Sequence, residues 1–98
     1  MDMQTLPAGI RTDIERVVSG LMAMGAKEVF LFGSFSTGSW NEKSDIDLAV
    51  RGLEPALFFK AYALASRGLN RELDLIDLDH EKPMAEFLTE TNRLVRIA

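Results

Sequence analysis

The chain has 98 residues, of which 47% are hydrophobic and 27% charged, and its formal net charge is −4. This length and composition predict one globular domain, residues 1–98, with little room for a separate substrate-binding domain. We expect a cytoplasmic protein without direct nucleic-acid binding, because membrane-length apolar runs, a signal peptide and cysteines are absent and Lys and Arg are scattered singly.

The first half of the chain predicts a helix, a strand and a short turn. Apolar residues recur at helical spacing from Leu6 to Met24, and Gly25 suits the end of that helix. The apolar run from Glu28 to Phe32 is rich in strand formers and predicts a buried strand that ends at Gly33. The residues from Ser34 to Trp40 predict a short helix or turn.

The second half predicts two more strands and two more helices. The run from Asp45 to Val50 alternates acidic and apolar residues and then becomes apolar, which indicates a strand. Helical spacing follows from Glu54 to Arg67, a third strand from Glu72 to Leu78, and a last helix from Pro83 to Ile97. The order predicts an α/β fold, a small mixed β-sheet of at least three strands packed with helices.

Aspartates on the predicted strands are candidate metal ligands. Asp45 and Asp47 are two residues apart, so on a strand their carboxylates share one face and can approach one cation or two. The two negative carboxylates repel each other unless a cation lies between them. Mg²⁺ suits this position because it binds oxygen ligands, and oxygens of the substrate phosphates usually complete its coordination shell. A third carboxylate would allow the two-metal arrangement of nucleotidyl displacement. Asp74, early in its strand, is our first choice, and Asp77, on the opposite face, is the alternative.

Gly33 and Ser34 are candidate phosphate-binding residues. Glycine lets the backbone approach a phosphate closely, and a serine hydroxyl with the N–H groups at a helix start can hold phosphate oxygens. The glycine turn would bind a triphosphate, and the acidic strand edge beside it would bind the metal ions of that triphosphate. Together they predict a nucleotide-binding site.

The segment LFGSFSTGSWNEKSDIDLAV resembles the signature of the DNA polymerase β-like nucleotidyltransferase superfamily, in which Gly33 and Ser34 are followed after ten residues by Asp45 and Asp47. It is most similar to the minimal nucleotidyltransferases, antitoxins often encoded beside a HEPN-domain protein. The resemblance implies the polymerase β-like nucleotidyltransferase fold. It also implies two Mg²⁺ bound by Asp45, Asp47 and Asp74, with Asp74 helping to activate the attacking hydroxyl. Gly33 and Ser34 would contact the nucleotide phosphates.

The same resemblance implies a reaction and a partner. AMP from ATP would pass to a hydroxyl, such as a tyrosine on a HEPN toxin, and pyrophosphate would leave. Two other functions stay open: an inactive or weak antitoxin that neutralises its toxin by binding, and the catalytic subunit of a small-molecule nucleotidyltransferase. Phe58, Phe59 and the last helix carry more apolar surface than one small core can bury, which favours a homo-oligomer.

The segment after Ser34 departs from the family pattern. Many minimal members carry arginine or lysine between the two glycines, whereas this chain has Phe35, Ser36 and Thr37. Since a cationic side chain is a usual partner of phosphate, this departure concerns the triphosphate affinity and the rate rather than the metal site.

Overall fold

Within residues 3–91 and 93–98, which the computed structural model describes, helices and strands alternate along the chain. The predicted domain, 1–98, includes residues 1, 2 and 92, which lie outside that description. After a 3-10 turn at Met3–Thr5, the elements are α1 (Ala8–Ala23), β1 (Glu28–Phe32), α2 (Ser34–Thr37), β2 (Ile46–Arg51), α3 (Pro55–Ser66), β3 (Leu73–Asp77), α4 (Lys82–Glu90) and β4 (Val95–Arg96).

The strands form one mixed sheet in the order β3-β2-β1-β4. β1 is antiparallel to both β2 and β4, and β2 is parallel to β3. The parallel pair requires a crossover, which α3 provides. The predicted α/β fold with a mixed sheet of at least three strands is confirmed.

One face of the sheet packs against α1 and α3 and forms the main core. Alternate strand residues supply it because side chains on a strand point to opposite faces in turn. Burying each large aliphatic side chain stabilises the fold by about 1.5–3 kcal/mol. The buried strand residues on this face are Val29, Leu31, Ile46, Leu48, Val50, Leu73 and Leu75.

The second face is covered in part by α4. Ala49, Leu78 and Ala85 form a smaller buried cluster there, with Phe30 and Phe32 packed against it. The polar side chains that β2 and β3 present on this face therefore stay accessible beside the cluster. No helix within the described ranges is long and apolar enough to cross a membrane.

The predicted last helix, Pro83 to Ile97, is wrong in its second half. α4 ends at Glu90, and β4 pairs with β1, where the Ile97 N–H donates to the Val29 carbonyl at 2.9 Å. The free edge of β1 offers backbone hydrogen bonds, and the β-branched residues Val95 and Ile97 favour a strand there. The helical spacing of apolar residues could not reveal this pairing, because β1 is far away in the sequence. Residue 92, inside the predicted helix, lies outside the described residues.

Large apolar side chains remain at the surface of α3 and α4. Phe59 is 80% exposed and Phe87 is 52% exposed, whereas Phe58 is half-buried against the main core. The expectation of more apolar surface than the core buries therefore holds for Phe59 and Phe87. Self-association stays a prediction.

Candidate active site

Asp47 and Asp74 are brought together by the parallel pairing of β2 and β3. They are Cα partners in the register, so both side chains point to the second face of the sheet. On either side of Asp47, the side chains of Ile46 and Leu48 are fully buried in the main core and fix the strand. Asp74 is our first choice for the third carboxylate because it comes early in its strand, and the parallel register places it beside Asp47.

The Asp47 carboxyl lies in an environment that disfavours its negative charge. Its pKa is raised from 3.8 to about 7, first by burial, then by a hydrogen bond with Asp74 and by the negative charges of Asp74 and Asp45. Near neutral pH, the Asp47 carboxyl is therefore partly protonated. A divalent cation between these oxygens would remove the repulsion, so the donor chemistry fits Mg²⁺.

Asp45 lies directly before β2 and is exposed. Its charge acts on Asp47, although no three Asp, Glu, His or Cys side chains of residues 3–91 and 93–98 already surround a single metal position. The structure therefore brings Asp47 and Asp74 into contact and places Asp45 at the edge of the same site. The assignment of all three as metal ligands remains a prediction.

Gly33 places the turn after β1 against the acidic strand. Phe32 is the Cα partner of Asp47, so the next residue lies beside the Asp47 side chain. Gly33 has φ of +73°, and a Cβ built on it would lie 2.9 Å from Asp47 Cγ. Both the backbone conformation and the lack of space require glycine here.

Ser34 begins α2 and is half-buried. Its carbonyl accepts a hydrogen bond from the Gly38 N–H at 3.0 Å, while its hydroxyl has no partner among the described residues. The Ser36 hydroxyl instead closes the turn by donating to the Gly33 carbonyl at 2.8 Å. The Ser34 hydroxyl is therefore the one in this turn that is available to a phosphate oxygen.

The residues that replace the usual cations have different surroundings. Phe35 is 1% exposed and stacks on Trp40, with ring centroids 5.8 Å apart. Ser36 bonds back to Gly33, and Thr37 is exposed. Phe35 thus anchors α2 in the core and leaves the surface of this turn to Thr37.

Asp77, the alternative third carboxylate, lies on the opposite face of β3. It is buried, and its side chain accepts hydrogen bonds from the Asp79 N–H at 3.0 Å and pairs with His80 Nδ1 at 2.8 Å. It lies three positions after Asp74, so strand alternation turns it away from Asp47. These contacts give Asp77 a place in the turn between β3 and α4.

Arg71 is a residue of the site that the sequence did not reveal. One guanidinium nitrogen, Nη1, donates to the carbonyl of Ser44 at 3.1 Å, and the guanidinium lies 5.6 Å from the Phe35 ring centroid. Arg71 also lines an open cleft of about 480 Å³ together with Lys43 and Asp45. A single arginine before a strand belongs to no motif, so only the fold shows that it reaches both segments.

The chain is similar to one protein family and to several solved structures. The family model described as polymerase beta, nucleotidyltransferase matches residues 22–96. Comparison with curated proteins finds no match. A chain in the crystal structure of a toxin-antitoxin with AMP-PNP is similar, with TM-score 0.67 and 22% identity over 84% of this chain and 69% of that one. A chain of the toxin-antitoxin MntA-HepT has TM-score 0.62 and 17% identity over 88% and 69%. At these identities the likeness concerns the fold.

Proposed function

The chain belongs to the polymerase beta nucleotidyltransferase family, and from that premise we propose that it transfers AMP from ATP to a hydroxyl of a HEPN-domain toxin, for which it is the antitoxin. The observation that carries the proposal is the Asp47–Asp74 pair beside Gly33. The two carboxylates repel each other, so a metal ion between them is favoured. The glycine turn beside them leaves room for the phosphates that accompany such metal ions.

In the proposed reaction, the acceptor hydroxyl oxygen forms a bond to the α-phosphorus of ATP. The bond from that phosphorus to the bridging oxygen breaks, and pyrophosphate leaves. Asp74 orients the hydroxyl and helps to remove its proton, while Gly33 and Ser34 hold the phosphates. Mg²⁺ ions, held by Asp45, Asp47 and Asp74, would supply charge stabilisation at the attacking and leaving oxygens.

Support for the nucleotide and for the partner comes from the fold neighbours. They include toxin-antitoxin structures, and one of these contains AMP-PNP, a non-hydrolysable relative of ATP. This likeness is one of fold, so it supports the antitoxin role by analogy. The acidic site and the glycine turn of this chain supply the independent support.

The test is an incubation with the protein encoded by the neighbouring gene, ATP and Mg²⁺, followed by intact-mass spectrometry of that protein. We expect a mass gain of one AMP or a multiple of it. Asp45→Ala should abolish the gain. Glu90→Ala, which removes an exposed carboxylate at the end of α4, serves as the matched control and should retain it.

The alternative functions give different outcomes in the same experiment. A tight complex with the HEPN protein and no mass gain contradicts AMP transfer and favours neutralisation by binding. If neither a complex nor a mass gain is found, that outcome contradicts the toxin as acceptor. It would favour a small-molecule substrate.

A further inference from the structure

Asp45 is held by the turn that precedes it rather than by the sheet. The Ser44 N–H donates to the Asn41 carbonyl at 3.1 Å, and the Asn41 N–H donates to the Ser44 hydroxyl at 2.8 Å. The first bond to β3 comes only after Asp45, where the Ile46 N–H donates to the Glu72 carbonyl at 2.9 Å. The direction of the Asp45 carboxylate therefore depends on how this turn is fixed.

Arg71 fixes the turn from the segment before β3. Its Nη1 donates to the Ser44 carbonyl at 3.1 Å and to the Glu42 carbonyl at 3.2 Å. The Ser44 carbonyl belongs to the peptide group that joins Ser44 to Asp45. A donor on this oxygen restricts rotation of that peptide and, with it, the position of Asp45.

The same guanidinium reaches the phosphate side of the site. It lies 5.6 Å from the centroid of Phe35, the residue after Ser34. Phe35 itself stacks on Trp40, which fixes the ring that the Arg71 guanidinium contacts. One side chain thus joins the turn that carries Asp45 to the helix that begins at Ser34.

Arg71 Nε is buried and has no hydrogen-bond partner within residues 3–91 and 93–98. An unpaired buried donor disfavours folding, and an aliphatic side chain would fill the space without that penalty. The planar guanidinium fork, which reaches two carbonyls and a ring at once, explains an arginine at this position.

We infer that Arg71 is a positioning residue that strengthens metal binding by holding the Ser44–Asp45 peptide and Phe35 in one arrangement. The inference rests on the proposed function, because it takes Asp45 as a metal ligand. Arg71 touches neither the metal ion nor the nucleotide in this role and acts through the backbone of Asp45.

The experiment measures Mn²⁺ binding to the purified full chain by electron paramagnetic resonance, without nucleotide or acceptor. Mn²⁺ shares the oxygen-ligand preference of Mg²⁺. Arg71→Lys keeps the charge but loses the planar fork, so it separates geometry from electrostatics. We expect Mn²⁺ binding to weaken about 10-fold in Arg71→Lys, and further in Arg71→Met, as for residues that orient metal ligands. Arg67→Lys, at an exposed site, should bind like the wild type.

Two results overturn the inference. If the wild type binds Mn²⁺ and folded Arg71→Lys binds it equally well, Arg71 has no positioning role, while the proposed function stands. If the wild type itself binds no Mn²⁺, the metal site in the proposed function fails, and the inference fails with it. Thermal unfolding of each variant shows whether it is folded, and Arg71→Lys decides the question if Arg71→Met does not fold.

Discussion

Gly33 and Asp47 approach so closely that a side chain on the glycine would overlap the carboxylate: a Cβ there would lie 2.9 Å from Asp47 Cγ and nearer still to Oδ2. This contact joins the turn predicted to bind phosphates to the strand predicted to bind metal ions. The position of one depends on the other, and the contact therefore gives a direct mutational test of the site.

Gly33→Ala should lower both stability and activity, and Gly68→Ala is its matched control. Both glycines have positive φ, +73° and +81°, but nothing lies within 4 Å of a Cβ at Gly68. Gly68→Ala should cost only the left-handed backbone penalty, about 1–2 kcal/mol. Gly33→Ala should cost more and displace Asp47. Thermal unfolding and AMP transfer measure the two effects, and equal losses in the two variants would argue against the close contact.

Asp47→Asn should stabilise the metal-free protein at alkaline pH. The pKa of Asp47 is raised from 3.8 to about 7 in the folded state, mainly by burial. The folded state therefore binds the proton more tightly than the unfolded state, and stability falls as pH rises from about 4 to about 7. Asparagine removes this dependence. In chelator, each kcal/mol gained at pH 8 should raise Tm by about 4–8 °C.

The control for that comparison is the same pair of proteins at pH 4, where the carboxyl is protonated and the advantage of Asn should be largely lost. Excess Mg²⁺ at pH 8 should stabilise the wild type more than Asp47→Asn, since the ion binds the folded state. A variant that is less stable than the wild type at pH 8 in chelator would contradict the raised pKa of Asp47.

Metal binding should release a proton and strengthen with pH. Because Asp47 has a pKa of about 7, a bound cation must displace its proton at lower pH. The apparent Mg²⁺ affinity should rise about tenfold per pH unit below 7 and level off above it, for release of one proton. Titration calorimetry in two buffers of different ionisation enthalpy counts the protons. An affinity independent of pH between 5 and 8 would place the ion elsewhere.

Asp74→Asn and Asp77→Asn should have opposite effects. Asp74 is exposed beside Asp47, so Asp74→Asn should keep the fold and reduce AMP transfer by about 100-fold or more. Asp77 is buried and bonds to His80 and to the Asp79 N–H, so Asp77→Asn should lower the free energy of unfolding by about 1–3 kcal/mol and keep transfer. Rate assays and urea unfolding measure the two. Loss of transfer in folded Asp77→Asn with normal transfer in Asp74→Asn would reverse the assignment.

Most elements of the fold follow from local pattern. The predicted helix from Glu54 to Arg67 and the strand from Glu72 to Leu78 differ from α3 and β3 by one residue at each end. Residues that alternate on a strand, or recur at helical spacing, show their buried face in the sequence itself. β4 does not, because a two-residue strand has no period and depends on the distant edge of β1.

The site shows the same division between local and distant information. The spacing of Asp45 and Asp47 predicts a shared strand face, whereas Asp45 lies just before β2. The pairing of Asp47 with Asp74 requires the parallel register that α3 creates. The inward position of Phe35 and the reach of Arg71 depend on packing between segments far apart in the chain. Residue types at fixed spacing therefore predict the candidate ligands, and tertiary contacts determine what holds them.

The most direct measurement of the central claim follows the α-phosphorus of ATP. The chain is incubated with the proposed HEPN-domain partner, Mg²⁺ and ATP radiolabelled at either the α- or the γ-phosphorus. Label from the α-phosphorus should appear on the HEPN protein and label from the γ-phosphorus should not, and Asp47→Asn should abolish the transfer. Transfer of the γ-label would indicate a kinase, and α-label transfer that survives Asp47→Asn would contradict the active site described for this chain.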